Sequence, residues 1–334
     1  MRCGRCSNSA ANRCSRGAEA VPELPEVEVV RRGLEPLLLG RTITGVDVVD
    51  ERILRRQAGR TDALRAVVTG TRISAVVRRG KFLWLRLEDA AGETGDALMV
   101  HLGMSGQLRI RRAGGADATR ATVPSMGPAS DPHRHRRLTL HLDDRSMIDM
   151  VDQRIFGGLW ISPLTRTSDG AAAGEGSPDA LLPEAASAIA RDLLDPAADL
   201  SAIAATIRAR RAPVKSLLLS QGIVSGIGNI YADEALWAAR VRYDTPGEDV
   251  GPRKARALLL AAREVMQRAL AAGGTSFDAL YVDVNGRSGY FSRSLNVYGR
   301  EGDPCERCGA AIVREPFMNR SSFVCPRCQR PVRR

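Results

Sequence analysis

The 334-residue chain contains no apolar run near the ~18 residues needed to span a membrane. Candidates such as Leu37–Leu39 and Leu258–Ala262 are far shorter, which excludes a helical integral membrane protein. Lysine is nearly missing: Lys81, Lys215 and Lys254 stand among 49 basic residues, and the rest are arginine. Cysteine is scarce and confined to the two ends, at 3, 6, 14, 305, 308, 325 and 328, which does not suit a secreted disulfide framework. Residues 1–21 lack the 7–15-residue apolar core of a secretory signal. Their Arg- and Ser-rich, acid-poor composition resembles a transit peptide without its amphipathicity. Acidic residues are outnumbered, 38 against 49, for a net charge of +11. That excess is the footprint of a nucleic-acid binder, although a basic solvated surface would show it too. The apolar fraction, 44%, suffices for packed cores and excludes wholesale disorder.

A globular pattern starts at Pro22. Residues 25–39 carry Val27, Val30, Leu34 and Leu37/Leu38 at helical spacing, with Gly40 as the stop. Eight β-type runs follow, over 42–49, 71–78, 81–87, 97–101, 107–111, 138–142, 147–151 and 159–162, and predict a β-sandwich. Two Gly/Ala/Ser/Pro-rich stretches, 113–132 and 165–178, read as loops, the second as an interdomain linker. An Ala/Leu-rich helical region comes next, with helices expected over 189–194, 201–209, 216–221, 231–239 and 253–272. The division expected is a leader (1–21), a β-sandwich domain (22–164), a linker (165–178), a helical domain (179–299) and a terminal module (300–334).

The terminal module carries the strongest signal. Cys305-x2-Cys308-x16-Cys325-x2-Cys328 offers four thiolates to one tetrahedral, closed Zn2+ site, so the metal is structural rather than catalytic. Arg314, Arg320, Arg327 and Arg330 suit a basic hairpin facing phosphate. Weaker signals precede it. Gly222, Gly226 and Gly228 break the apolar stretch before residue 231, where backbone N–H groups at a helix start would suit a phosphate and Asn229 a cap or phosphate donor. Glu23 and Glu26 lie three apart at a helix start, where acids also simply favour the helix dipole. Arg78-Arg79-Gly80-Lys81 is a basic turn. A Gly-rich turn after His101 would expose Met104, and Arg154 with Phe156 forms a cation–aromatic pair suited to stacking and groove contact.

In this order, PELPEVE at 22–28, RRGKFLWL at 78–85, HLGMSGQL at 101–108, DQRIFGG at 152–158, GIGNIYADE at 226–234, VYGREGDPC at 297–305 and the terminal cysteines resemble the formamidopyrimidine-DNA glycosylase (Fpg/MutM) family of bacterial base-excision repair. Leu24 and Val27 favour that purine-lesion branch over endonuclease VIII, which typically opens PEGPEI. The resemblance implies an α+β multidomain fold: an N-terminal β-sandwich with a leading helix, a helix–two-turn–helix domain and a C-terminal zinc-finger β-hairpin. It also implies a bifunctional glycosylase/lyase, monomeric and cytoplasmic on the bacterial nucleoid. The partner would be duplex DNA with 8-oxoguanine or formamidopyrimidine opposite cytosine, the lesion being flipped out of the stack. By the same resemblance Pro22 is the Schiff-base nucleophile, Glu23 the neighbouring acid/base and Glu26 its support. Lys81 acts in proton transfer and holds phosphate, and Arg320 assists δ-elimination and grips phosphate. His133, Arg154, Arg210 and Asn229, with Lys215 and Tyr298, contact DNA. Met104, Arg154 and Phe156 fill the void left by the flipped base. A lesion-covering loop is expected within 275–290.

A secondary amine suits this chemistry, because its adduct is a permanently cationic iminium. The nitrogen must then be free, whereas Val21 precedes Pro22 here. Residues 1–21 are therefore expected to be absent from the mature protein, with Val21 as the true start codon or the leader cut by a protease. The alternative is a catalytically silent, zinc-bearing DNA binder. Residues 113–132 also exceed the family's loop, and His135 lies beside His133.

Overall fold

The computed structural model describes residues 22–112, 134–274 and 294–331. Helix α1 (Leu24–Leu38) opens with a reciprocal capping box, Glu23 and Glu26 each bonding the other's backbone N–H. Its face of Val27, Val30, Leu34 and Leu38 is buried in the sandwich core. Leu24, one turn earlier, belongs instead to the helical-domain core. The start of α1 therefore lies at the junction of the two halves.

The sandwich has a four-stranded sheet of β1 (Ile43–Val48), β6 (Arg136–Leu142), β7 (Met147–Asp152) and β5 (Gly106–Arg111), in that order. The five-stranded sheet runs β2 (Arg72–Arg79), β3 (Phe82–Asp89), β4 (Gly92–His101), β8 (Gly158–Arg166) and β9 (Leu181–Pro183). All eight expected strands are present, and every named pair is antiparallel. Arg79 pairs with Phe82, so Gly80 and Lys81 form the tight tip of the β2–β3 hairpin.

Three features depart from expectation. A short helix, α2 (Arg60–Val68), was not foreseen; it buries only Leu64 and Val68, too few for a legible stripe. The 165–178 stretch is no free linker. β8 runs on to Arg166 and pairs with β9, and Arg78 and Glu175 exchange backbone hydrogen bonds of 2.9 Å each. Gly174 and Gly176 allow this: a Cβ at either would overlap the carbonyl of Arg78 or Val76. Finally, 189–194 is not a helix. Asp192 there accepts from Arg78 Nη1 (2.7 Å) and Gly80 N (3.0 Å), and these tertiary bonds hold the chain open.

The helical domain comprises α3 (Leu200–Arg208), α4 (Val214–Leu219), α5 (Asn229–Ala238) and α6 (Pro252–Ala271). Strands β10 (Val313–Phe317) and β11 (Arg320–Val324) form the terminal hairpin. Its Phe317, Phe323 and Val324 share one apolar cluster with Tyr231, Leu236 and Trp237, so the finger is docked on the helical domain. No helix among the described residues is long and apolar enough to cross a membrane.

Candidate active site and nucleic-acid interface

Pro22 and Glu23 are buried where α1 meets the start of α5. Leu24 N donates to Gly226 O (3.0 Å), fixing the approach. The Glu23 carboxylate then caps α5 from outside, accepting from Gly228 N (2.5 Å) and Ile230 N (2.9 Å). The backbone N–H groups expected to meet phosphate are thus used by a side chain. The residue flanking α5 is Gly228, with Asn229 already the first helical residue. Glu26 accepts from Glu23 N (3.0 Å) and from the Tyr231 hydroxyl (2.7 Å), tying it to α5 as well.

Burial pushes Glu23 up to about 7; Lys81 opposes this, Glu26 adds to it, and the α5 N–H groups pull it back. Lys81 is drawn below the usual lysine range by its own burial, with Glu23 opposing and the Arg320 charge adding to the fall. The two shifts bring the proton affinities of an acid and an amine toward each other.

The tip bearing Lys81 is held from below. Arg78, buried, bridges Glu28 of α1 (2.8 Å) and Asp192 (2.7 Å). Arg320 is exposed at the head of β11, and its neighbours are pinned. Ser321 O accepts from Lys215 Nζ (3.0 Å) and Asn229 Nδ2 (2.9 Å), and Phe323 N donates to Asp233 (3.0 Å). Pro22, Glu23, Lys81 and Arg320, which span most of the chain, thus come from three elements to one place.

Cys305, Cys308, Cys325 and Cys328 place their Sγ atoms within 4.8 Å of one another. The 308–325 and 308–328 separations are 3.5 Å and the 305–328 separation 4.0 Å. A tetrahedral ion with Zn–S near 2.3 Å needs edges of ~3.8 Å, so the four thiols fit one structural zinc. Trp237 Nε1 donates to Cys305 Sγ (3.4 Å), and Arg307 lies 3.7 Å over the same indole.

A second surface is formed by two turns of the sandwich. Met104 is half-buried after β4; Arg154 and Phe156 are exposed between β7 and β8. Asp152 joins the turns, accepting from Ser105 Oγ (2.6 Å), Arg154 N (3.1 Å) and Gly157 N (2.7 Å).

Family models match in three blocks: the formamidopyrimidine-DNA glycosylase N-terminal domain over residues 21–159, its H2TH domain over 189–280, and the zinc finger found in FPG and IleRS over 302–331. A formamidopyrimidine-DNA glycosylase of Leifsonia xyli is 50% identical over 310 residues, covering 93% of this chain and 100% of that protein. One of Mycobacteroides abscessus is 49% identical over 312 residues, with 93% and 99% covered. The crystal structure of the Thermus thermophilus MutM (Fpg) protein superposes with a TM-score of 0.72 at 32% identity, covering 92% of this chain and 98% of that one. The Lactococcus lactis Fpg complexed with abasic-site DNA gives 0.72 at 25% identity, with 92% and 100% covered. The chain belongs to the formamidopyrimidine-DNA glycosylase family.

Within that family's pattern one expected DNA contact needs correction. Lys215 is fully buried, paired with Asp233 at 2.7 Å and bonded to Ser322 Oγ at 2.8 Å. It cannot reach a phosphate; it ties the helical domain to the finger. Tyr298 is also largely buried, edge-on to Phe323 at 5.0 Å, with its hydroxyl in hydrogen-bond contact with Asn229. Arg210 is exposed after α3, its Nη1 donating to Thr206 O (2.7 Å). His133 and the segments 113–132 and 275–290 lie outside the described residues. Tyr231, Asp192 and Asp233 were missed as site residues. Tyr231 and Asp233 lie inside GIGNIYADE, where the glycines and Asn229 carry the more obvious signal.

Proposed function

We propose that the chain is a bifunctional DNA glycosylase and abasic-site lyase of base-excision repair, removing 8-oxoguanine and formamidopyrimidines from duplex DNA opposite cytosine. The observation that carries this is the seat of Glu23: a buried carboxylate beside Pro22, capped onto α5, with Lys81 close enough to lower its pKa.

Freed at its nitrogen, Pro22 would attack C1′ of the flipped nucleotide. The bond from C1′ to the base breaks, the base leaves with its electron pair and a proton, and the sugar opens to an iminium. Loss of a C2′ proton expels the 3′ phosphate; a second elimination expels the 5′ phosphate. Hydrolysis of the iminium returns Pro22. Glu23, with a pKa near neutrality, suits both giving and taking the proton. Lys81 and Arg320 supply positive charge where the phosphates depart. Met104, Arg154 and Phe156 would fill the gap in the duplex, with Arg154 reading the orphaned cytosine. Arg210, Asn229 and His133 would hold backbone phosphates. A zinc held by Cys305, Cys308, Cys325 and Cys328 would keep the Arg320 hairpin folded. This reading puts the protein to work as a monomer in the bacterial cytoplasm, on the nucleoid.

The test is borohydride trapping on an 8-oxoguanine:cytosine duplex. One chain begins at Pro22; the other retains residues 1–21, verified by intact mass. Cross-linking by the Pro22-start chain alone is expected. Binding without cross-linking by either chain would instead make it a silent DNA binder.

A further inference from the structure

The turn between β7 and β8 has an unusual polarity. Three successive carbonyls face one cation: Arg55 Nη1 donates to Ile155 O (3.1 Å) and Gly157 O (2.5 Å), and Nη2 to Phe156 O (2.6 Å). Successive carbonyls of an extended chain alternate in direction, so this gathering requires a bent backbone. The bend is at Ile155, whose φ of +56° is rare for a β-branched residue. The turn's N–H groups are gathered on the other side, Asp152 accepting from those of Arg154 and Gly157. With the backbone polar groups drawn inward, Phe156 is left outside, 50% exposed.

Arg55 is itself rigidly rooted. Ile53 and Leu54 before it are fully buried, Asp50 caps the short 3-10 turn at 51–54, Arg56 lies 4.8 Å over Trp160, and Gln57 Oε1 accepts from Ile161 N (2.7 Å). The planar fork of a guanidinium can serve three fixed acceptors; a lysine ammonium on a flexible stem cannot hold them in the same geometry.

We propose that Arg55 is a positioning residue: by clamping the carbonyls of Ile155, Phe156 and Gly157 it holds Arg154 and Phe156 in the pose that meets the base opposite the lesion, and so sets opposite-base discrimination. This rests on the reading of Arg154 and Phe156 as void-filling residues. Arg55 is distant from them in sequence, and its three hydrogen bonds among the described residues all go to backbone carbonyls, so its side chain would act without contacting the base.

The experiment compares Arg55→Met, Arg55→Lys, Phe156→Ala, Arg154→Ala and the double variant Arg55→Met/Phe156→Ala, each in a chain beginning at Pro22. Single-turnover excision of 8-oxoguanine opposite cytosine and opposite adenine is measured, with melting temperature alongside. Arg55→Met is expected to lower the cytosine-to-adenine rate ratio about tenfold, the size of one hydrogen-bonded contact. Arg55→Lys, which keeps the charge, should lose part of the ratio and serves if the Met variant does not fold. Phe156→Ala should cost less on the Arg55→Met background than alone. An unchanged ratio, or equal losses opposite both bases, makes Arg55 a plain structural tie and overturns the proposal. If Phe156→Ala and Arg154→Ala are both silent, the void-filling reading fails and the proposal falls with it.

Discussion

The carboxylate of Glu23 occupies the space that a side chain on residue 228 would need. A Cβ at Gly228 would overlap the Glu23 carboxyl carbon, and the Gly228 N–H is one of the donors that hold it. Two motifs about two hundred residues apart are therefore one feature, a carboxylate and its seat.

Gly228→Ala tests this. The added methyl should drive Glu23 off α5 at an overpacking cost of ~1–3 kcal/mol. Base excision should fall by roughly 100-fold, the lower range for removing a general acid/base. Single-turnover excision and thermal unfolding measure both; a near-normal rate would mean that the seat is dispensable.

Glu23 should titrate near 7 in the chain that retains residues 1–21, observable by carboxyl-carbon NMR, and lower in the Pro22-start chain, where the free amine adds a positive charge beside it. Lys81 lowers that value, so Lys81→Met should raise it further. The stability sign follows from the raised folded pKa. Glu23's contribution is fully present below its ordinary 4.5 and is lost as pH rises through about 7. Glu23→Gln, neutral at every pH, should flatten that part of the stability profile. A Glu23 titration at its ordinary value would contradict the buried seat.

Lys215 and Asp233 should behave as a buried structural pair. Lys215→Met leaves an acid buried without its cation, at a cost of ~3–5 kcal/mol. Burial already pushes Asp233 up to about 7. The double variant Lys215→Met/Asp233→Leu should recover part of the loss in chemical denaturation. DNA affinity of the folded double variant should keep the wild-type salt slope, since no phosphate contact has been removed. A shallower slope would return Lys215 to the DNA-contacting set.

Metal analysis should find one zinc per chain. Chelation should change Trp237 emission, because its indole touches both Cys305 Sγ and the Arg307 guanidinium. It should also weaken DNA binding as the Arg320 hairpin loosens. Unaltered emission and binding after verified zinc loss would show that the finger holds without metal.

Strands with clear alternation, the long α6 and the cysteine spacing were legible in the sequence, because each rests on local periodicity or fixed ligand chemistry. α2 was not, being largely polar with only Leu64 and Val68 buried, and neither was β9, a strand of three residues. The 165–178 stretch looked like a linker because glycine marks both flexible chain and close backbone contact; Gly174 and Gly176 are of the second kind. Lys215 was expected at DNA by resemblance alone, and a matching position does not tell which way a side chain turns; here it turns to Asp233.

What the sequence determined by itself is the inventory: a sandwich, a helical domain, a four-thiolate module, and a proline–glutamate start with a matching lysine and arginine. The first three follow from periodicity and residue chemistry, which act over a few neighbours; the last follows from the family resemblance. Only the tertiary structure decided the assignments among polar groups: Glu23 rather than phosphate on the α5 N–H groups, Asp233 rather than DNA on Lys215, and backbone carbonyls on Arg55. Each is a choice among partners far apart in the chain. It is settled by burial, where a polar group left without a partner costs more than the bond it forms would contribute.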